Sequence, residues 1–149
     1  MSATVQHAAI EALVSIWKDT LTFPVFDGPT LAADDEHLFM MVGYDPISND
    51  AEAASAQQSY TQIGRRSKQE DGTIRCTIAA WSGDETTTER RRQVAQALSD
   101  AEAAIRADIT LGNVVMYANF GPRSDLNQLL TEGGNQVYAR FDVAYTARI

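Results

Sequence analysis

The stretch Asp71-Gly72-Thr73-Ile74-Arg75-Cys76-Thr77-Ile78-Ala79-Ala80-Trp81 alternates apolar and polar side chains, then gives way to the helical spacing of Val94, Ala97, Leu98, Ala101 and Ile105. A period of two puts Ile74, Cys76, Ile78 and Ala80 on one face of a strand and Thr73, Arg75, Thr77 and Ala79 on the other. Glu70, Asp71 and Gly72 have the composition of a turn, so the strand is expected to begin after them. Thr86 followed three residues later by Glu89 forms a capping box, in which each side chain satisfies a backbone donor at a helix start. Gly112 stands where a left-handed C-terminal cap is expected. A core strand leading into a long amphipathic helix is therefore the centre of the chain.

Upstream, Ile10, Leu13, Val14, Trp17 and Leu21 share one face of a helix predicted over 4–21. Phe23 to Phe26 reads as a brief edge strand stopped by Asp27, Gly28 and Pro29. The continuous apolar run Leu38 to Val42 predicts a strand covered on both faces. Residues 44–59 read as an extended loop, rich in Asn, Asp, Ser, Gln and Ala. Tyr60 to Lys68 then reads as the first strand of a hairpin closed by the Glu70 to Gly72 turn. Downstream of the helix, Asn113 to Phe120 predicts a strand ended by Gly121 and Pro122. Residues 122–135 form an arm that presents Leu126, Leu129 and Leu130, and such leucines need a cover. The last strand is the clearest, with Val137, Ala139, Phe141, Val143, Tyr145, Ala147 and Ile149 alternating against polar partners. The order predicts an α+β fold: one single-domain sandwich in which two main helices pack on a mostly antiparallel, mixed sheet.

At 149 residues the chain suffices for one domain with its own core. Cys76 is the only cysteine, which excludes an internal disulfide and reads as a small buried hydrophobe. No apolar run approaches the roughly 20 residues that cross a bilayer, and the N-terminus lacks a signal-peptide pattern, so a soluble cytoplasmic product is expected. The net charge of -8 argues against general nucleic-acid binding, which depends on Lys and Arg neutralising phosphates. Residues 1–57 carry nine acids and one base, whereas residues 58–149 carry eleven of each. That asymmetry is either a solvated acidic face or the front of a polarised subunit, meeting the Arg65, Arg66 and Lys68 cluster of an identical neighbour.

Candidate chemical sites are few. Asp34, Asp35, Glu36 and His37 are consecutive, so a strand sends them to alternate sides, and no second ligand set stands at metal-binding spacing. The loop Ser82 to Thr88 sits where many phosphate sites lie, but lacks the Gly-Lys-Ser/Thr ending and carries Asp84 and Glu85, which repel a phosphate. Arg90, Arg91 and Arg92 point about 100° apart on a helix and form no single pocket. No catalytic residue, cofactor or metal ligand is assigned.

The order of elements, with Gly72-Thr73-Ile74-Arg75-Cys76-Thr77-Ile78 leading to Trp81-Ser82-Gly83-Asp84 and Arg91-Arg92 opening the helix, resembles the tail terminator proteins of long, non-contractile-tailed (siphovirus-type, lambda-like) bacteriophages. The closing segment Gly134-Asn135-Gln136-Val137-Tyr138-Ala139-Arg140-Phe141-Asp142-Val143-Ala144-Tyr145 is similar to theirs too. The resemblance implies a non-enzymatic virion protein at the head-proximal end of the tail, assembled in the host cytoplasm. It further implies a homohexameric ring that caps the tail tube, stops its growth, presents a surface to head-completion (neck) proteins and lets DNA pass. On that reading Arg65, Arg66, Lys68, Leu126, Leu129 and Leu130 contact a neighbouring subunit or the tube protein. Asp34, Asp35, Glu36, Asp50 and Glu52 face a channel where acidity keeps DNA from sticking. Two alternatives stand beside it: a head-tail connector or neck completion protein, and a small-molecule-binding domain or enzyme using Asp34, Glu36 and His37 with Tyr60 or Arg65. A pocket of perturbed carboxylates favours the last, and flat surfaces of paired side chains disfavour it.

Overall fold

A computed structural model describes residues 3–29, 37–45, 52–60, 68–82, 87–131 and 134–149. The two segments with the longest apolar alternation form the middle of the sheet. These are β4 (Lys68–Ser82) and β6 (Gly134–Arg148), antiparallel in an unbroken register from Gln69 opposite Arg148 to Ser82 opposite Asn135. The remaining elements are α1 (Gln6–Thr20), β1 (Val25–Asp27), β2 (Leu38–Val42), β3 (Ala54–Tyr60), α2 (Thr87–Ala107) and β5 (Tyr117–Thr131). The six described strands run in the order β1-β2-β4-β6-β5, with β3 also paired to β4. Every pairing is antiparallel except that of β1 with β2. This is the α+β architecture expected, with β1 a short edge strand.

Both helices cover the same sheet face, because both carry apolar stripes and β4 and β6 present one apolar side each. Ala9, Leu13, Val14 and Trp17 of α1 and Val94, Ala97, Ala101, Ala104 and Ile105 of α2 are buried against it. Beneath them lie Ile74, Cys76, Ile78 and Ala80 of β4 and every odd position from Val137 to Ala147 of β6. Trp17 is the keystone between the layers: its indole N–H donates to the Ala101 carbonyl at 3.1 Å and its ring meets Phe141 edge-on at 6.1 Å. Phe120 stacks on the other side of Phe141 at 4.8 Å. On β2, Met40 and Val42 join this core, while Phe39 and Met41 join a smaller cluster on the opposite face, so the strand is covered on both sides as its composition requires.

The turn expected at Glu70 to Gly72 is absent: these residues lie inside β4, pairing with Ala147, Thr146 and Tyr145. Gly72 serves a different purpose there. A Cβ on it would lie 2.3 Å from Tyr145 Cζ, so the missing side chain makes room for a tyrosine ring lying across the strand. Gly72→Ala is expected to cost about 2 kcal/mol through this overpacking, read as a lower urea midpoint at unchanged slope.

The hairpin into β4 exists, but its first strand is β3 at Ala54–Tyr60 rather than 60–68, so the loop predicted over 44–59 is strand in its last third. β2 and β3 lie end to end along the same edge of β4. They meet at Arg75, which accepts from Gly43 N–H at 2.6 Å and donates its own N–H to the Ala53 carbonyl at 3.0 Å. One lane of the sheet is thus interrupted between Gly43 and Ala53. Sequence periodicity missed β3 because Ala-Ser-Ala-Gln-Gln-Ser-Tyr has almost no apolar contrast.

Gly121 and Pro122 do not stop the strand that follows α2. β5 begins later than expected, at Tyr117, and runs through them to Thr131, absorbing the irregularity as a bulge between Phe120 and Ser124. Pro is tolerated because β5 is an edge strand. The arm expected over 122–135 is therefore the outer half of β5 and the start of β6, hydrogen-bonded to each other. Gly112 is not the residue that ends α2, which stops at Ala107. It lies instead in a left-handed run with Leu111 (φ 50°) and Asn113 (φ 67°), held by Asp108 and Thr110 side chains and by burial of Leu111. Thr86 of the capping box lies outside the described residues.

Candidate functional site

Among the described residues one face of the sheet carries no helix; it holds much of the chain's polar chemistry, and the strand registers order it into rows. The first row is Gln57, Asp71, Thr146 and Tyr117, and the second is Ser55, Thr73, Ala144 and Asn119. Next come Arg75 with Asp142, and then Met41, Thr77, Arg140 and Asp125. The last described row across four strands is Phe39, Ala79, Tyr138 and Asn127. The face thus grades from hydroxyls and amides around the carboxylate of Asp71, through ion-paired charges, to a buried aromatic patch in which Phe26 meets Phe39 edge-on at 6.1 Å. Ser55, Gln57, Asp71, Thr73, Tyr117 and Asn119 border a shallow groove whose floor is Gly72 and Ala144.

The charged rows hold themselves together. Arg140 Nη2 and Nε lie 2.8 and 3.0 Å from the same Asp45 oxygen, with both side chains largely buried, and Asp125 stands 4.0 Å away. Arg75 lies 3.7 Å from Glu52. Through these pairs Asp45 and Glu52 are held to the helix-free face, helped by the Thr77 hydroxyl donating to the Tyr44 carbonyl at 2.9 Å. Removing one partner of a buried ion pair strands the other charge, so Arg140→Ala is expected to lower stability by about 3 kcal/mol. Arg75→Ala, whose partner is more exposed, is expected to cost under about 1 kcal/mol. Parallel thermal melts of the two variants check the contrast.

On the helix side, Glu70 is fully buried and unites four elements. Its Oε1 accepts from the Tyr145 hydroxyl at 2.7 Å, the Thr4 hydroxyl at 2.8 Å and Val5 N–H at 3.3 Å, and Oε2 accepts from the Gln58 amide at 2.8 Å. A negative charge is thereby placed at the positive end of α1, whose N-cap residue Val5 offers no side-chain acceptor. Burial alone raises the Glu70 pKa, but the four hydrogen bonds outweigh it and the net position is below the ordinary carboxylate value. Burial, and then the hydrogen bond to and charge of Glu70, push the Tyr145 phenol upward, so it stays a donor. Glu70 was assigned to a turn by its neighbours Asp71 and Gly72. The signal that finds it is the strand alternation, which continues back from Ile74 through Gly72 to Glu70. Cys76 is buried, and desolvation pushes its thiol far above the usual range, which removes it as a nucleophile.

The proposed contact residues are scattered. Lys68 opens β4 and its ammonium donates to Gln58 Oε1 at 3.0 Å. Leu126 is 52% exposed on the edge strand, opposite Ala139 and so on the helix side. Leu129 and Leu130 continue the same backbone ladder to Gln136 and Asn135. Glu52 is paired rather than free. Arg65, Arg66, Asp34, Asp35, Glu36 and Asp50 lie outside the described residues. Arg91 and Arg92 are exposed on the first turns of α2, with Arg92 3.4 Å from Glu89. His37 stacks on Trp81 at 5.4 Å. Among the described residues no group of three or more His, Cys, Asp or Glu is placed to hold a metal ion, and no helix is long and apolar enough to cross a membrane.

No protein-family model matches the chain, and no curated protein matches it.

Proposed function

We propose that the chain is a structural virion subunit that forms a ring on the end of a phage tail tube, terminates tube growth and offers its outer surface to head-completion proteins. The observation that supports this reading is the helix-free sheet face at its Gln57 and Ser55 rows, which is open among the described residues. There it is an open groove lined by hydroxyls, amides and Asp71, which accepts from Thr146 and Gln69, while Arg140 and Arg75 further along are held by Asp45 and Glu52; such a surface suits contact with another protein better than the enclosure of a small substrate. The exposed β5 edge with Leu126 adds a second surface for a neighbour. The resemblance of Gly72 to Asp84 and Gly134 to Tyr145 to tail terminators supports the same class. Glu52, 3.7 Å from Arg75 and 40% exposed, stays with Asp34, Asp35, Glu36 and Asp50 in the proposed acidic channel surface.

Growth of purified tail-tube protein in the presence of the chain tests the proposal. Tubes are expected to stop lengthening once the chain is added, and a Leu126→Lys variant is expected to cap less well while melting like the wild type. Tube lengths unaffected by the chain at any ratio would sink the proposal.

A further inference from the structure

A helix about 10 Å across covers two strands spaced about 4.8 Å apart. α2 packs chiefly on β4 and β6, so the neighbouring strand β5 projects past it. A slot of about 270 Å³ opens between the C-terminal end of α2 and the start of β5, with Ile105, Ile109, Ala118 and Phe120 as its apolar lining. All four belong to the continuously described stretch 87–131, and Ile109 is 48% exposed. On the other side of the central β4 and β6 pair, Tyr60 ends β3. At 74% exposure it is more open to solvent than any other large hydrophobic side chain described. Tyr60 lies opposite Lys68, and Ala118 is level with Gly72 through Tyr145. Knob and slot therefore share the helix-bearing face and stand about 13 Å apart along the strands.

We propose that the slot receives Tyr60 of a second copy of the chain, head to tail. The occupant follows from two matches. An apolar hole takes a large apolar side chain, and the chain presents a bare one across the sheet, where three strand spacings, about 14 Å, keep it from its own slot. Charge matches as well. Lys68 stands directly beside Tyr60, whereas the slot lies at the negative C-terminal end of α2, with the carboxylates of Glu102 and Asp108 flanking the Arg106 guanidinium that Glu102 holds at 2.7 Å. Glu102 and Asn119 also offer acceptors at the slot to the phenol hydroxyl. Because knob and slot are different surfaces, each copy gives one and receives one, the heterologous geometry that closes into rings. The contact names the junction between subunits of the proposed ring and in that respect rests on that reading.

Sedimentation velocity of the full chain across a dilution series, without tail tubes, tests it with two variants. The wild type is expected to form species larger than a dimer as concentration rises. Tyr60→Ser removes the knob and Ile109→Asp spoils the slot, so each alone is expected to stay monomeric. Both should melt close to the wild type, because both side chains are exposed. Mixed in equal amounts, the two variants are expected to form a pair and nothing larger, since together they keep one sound knob and one sound slot. A monomeric wild type, a Tyr60→Ser variant that still assembles, or a mixture that forms no pair overturns the proposal. Assembly in this pattern by a chain that leaves tube lengths unchanged would uphold the contact and sink the tube-capping reading alone.

Discussion

Phe141→Asp is expected to prevent folding. Phe141 is 2% exposed, held between Trp17 at 6.1 Å and Phe120 at 4.8 Å, where β6 meets the helical layer. Losing the ring alone costs about 3–5 kcal/mol, and leaving a carboxylate in the space adds the penalty of an unpaired buried charge. The whole stability of a domain this size is about 5–15 kcal/mol, so the sum removes most or all of it. Phe141→Leu, which keeps an apolar group in the same place, is expected to fold with a lowered melting point. Near-ultraviolet circular dichroism during a thermal scan separates the two, and a soluble Asp variant that melts cooperatively would contradict the placement of β6.

The second large effect belongs to Glu70. Glu70→Ala withdraws the acceptor from Tyr145, Gln58, Thr4 and Val5 together, and buried donors without partners make this cost about 3 kcal/mol. Amide exchange is expected to accelerate most in the first turn of α1, because that turn has lost the charge beside it. The wild type also carries a pH signature. The folded pKa of Glu70 lies below its unfolded value, so its contribution is complete above the ordinary carboxylate range. It is lost as the pH falls through the folded value. Glu70→Gln removes the titration, so its melting temperature is expected to fall less steeply with acid than that of the wild type. Equal slopes for the two proteins would mean that Glu70 does not hold α1 through its charge.

What was legible in the sequence divides along a physical line. α1, α2, β2 and β6 declare themselves because one side of each faces a core, and burial writes a period of 3.6 or 2, or an unbroken apolar run, into the chain. β3 is silent because most of its side chains meet solvent, and a strand held by its backbone ladder needs no apolar pattern. Gly72 misled for a related reason. A glycine in a sequence marks either a turn or a place where something passes close by, and only the Tyr145 ring across β4 decides between them. The Asp45 and Arg140 pair spans 95 positions and leaves no local trace. Leu126 is exposed although it lies on the helix side of the sheet, opposite Ala139, because β5 is at the end of the described strand order. The order of rows on the helix-free face, from Asp71 to Phe39, required the registers of β2 to β6.

The proposed closure of a ring on a tail tube is tested most directly by negative-stain imaging of purified tubes mixed with the purified protein. The expected result is a ring of density on one end of each tube and bare walls elsewhere. Protein that remains free while both tube ends stay open would contradict it.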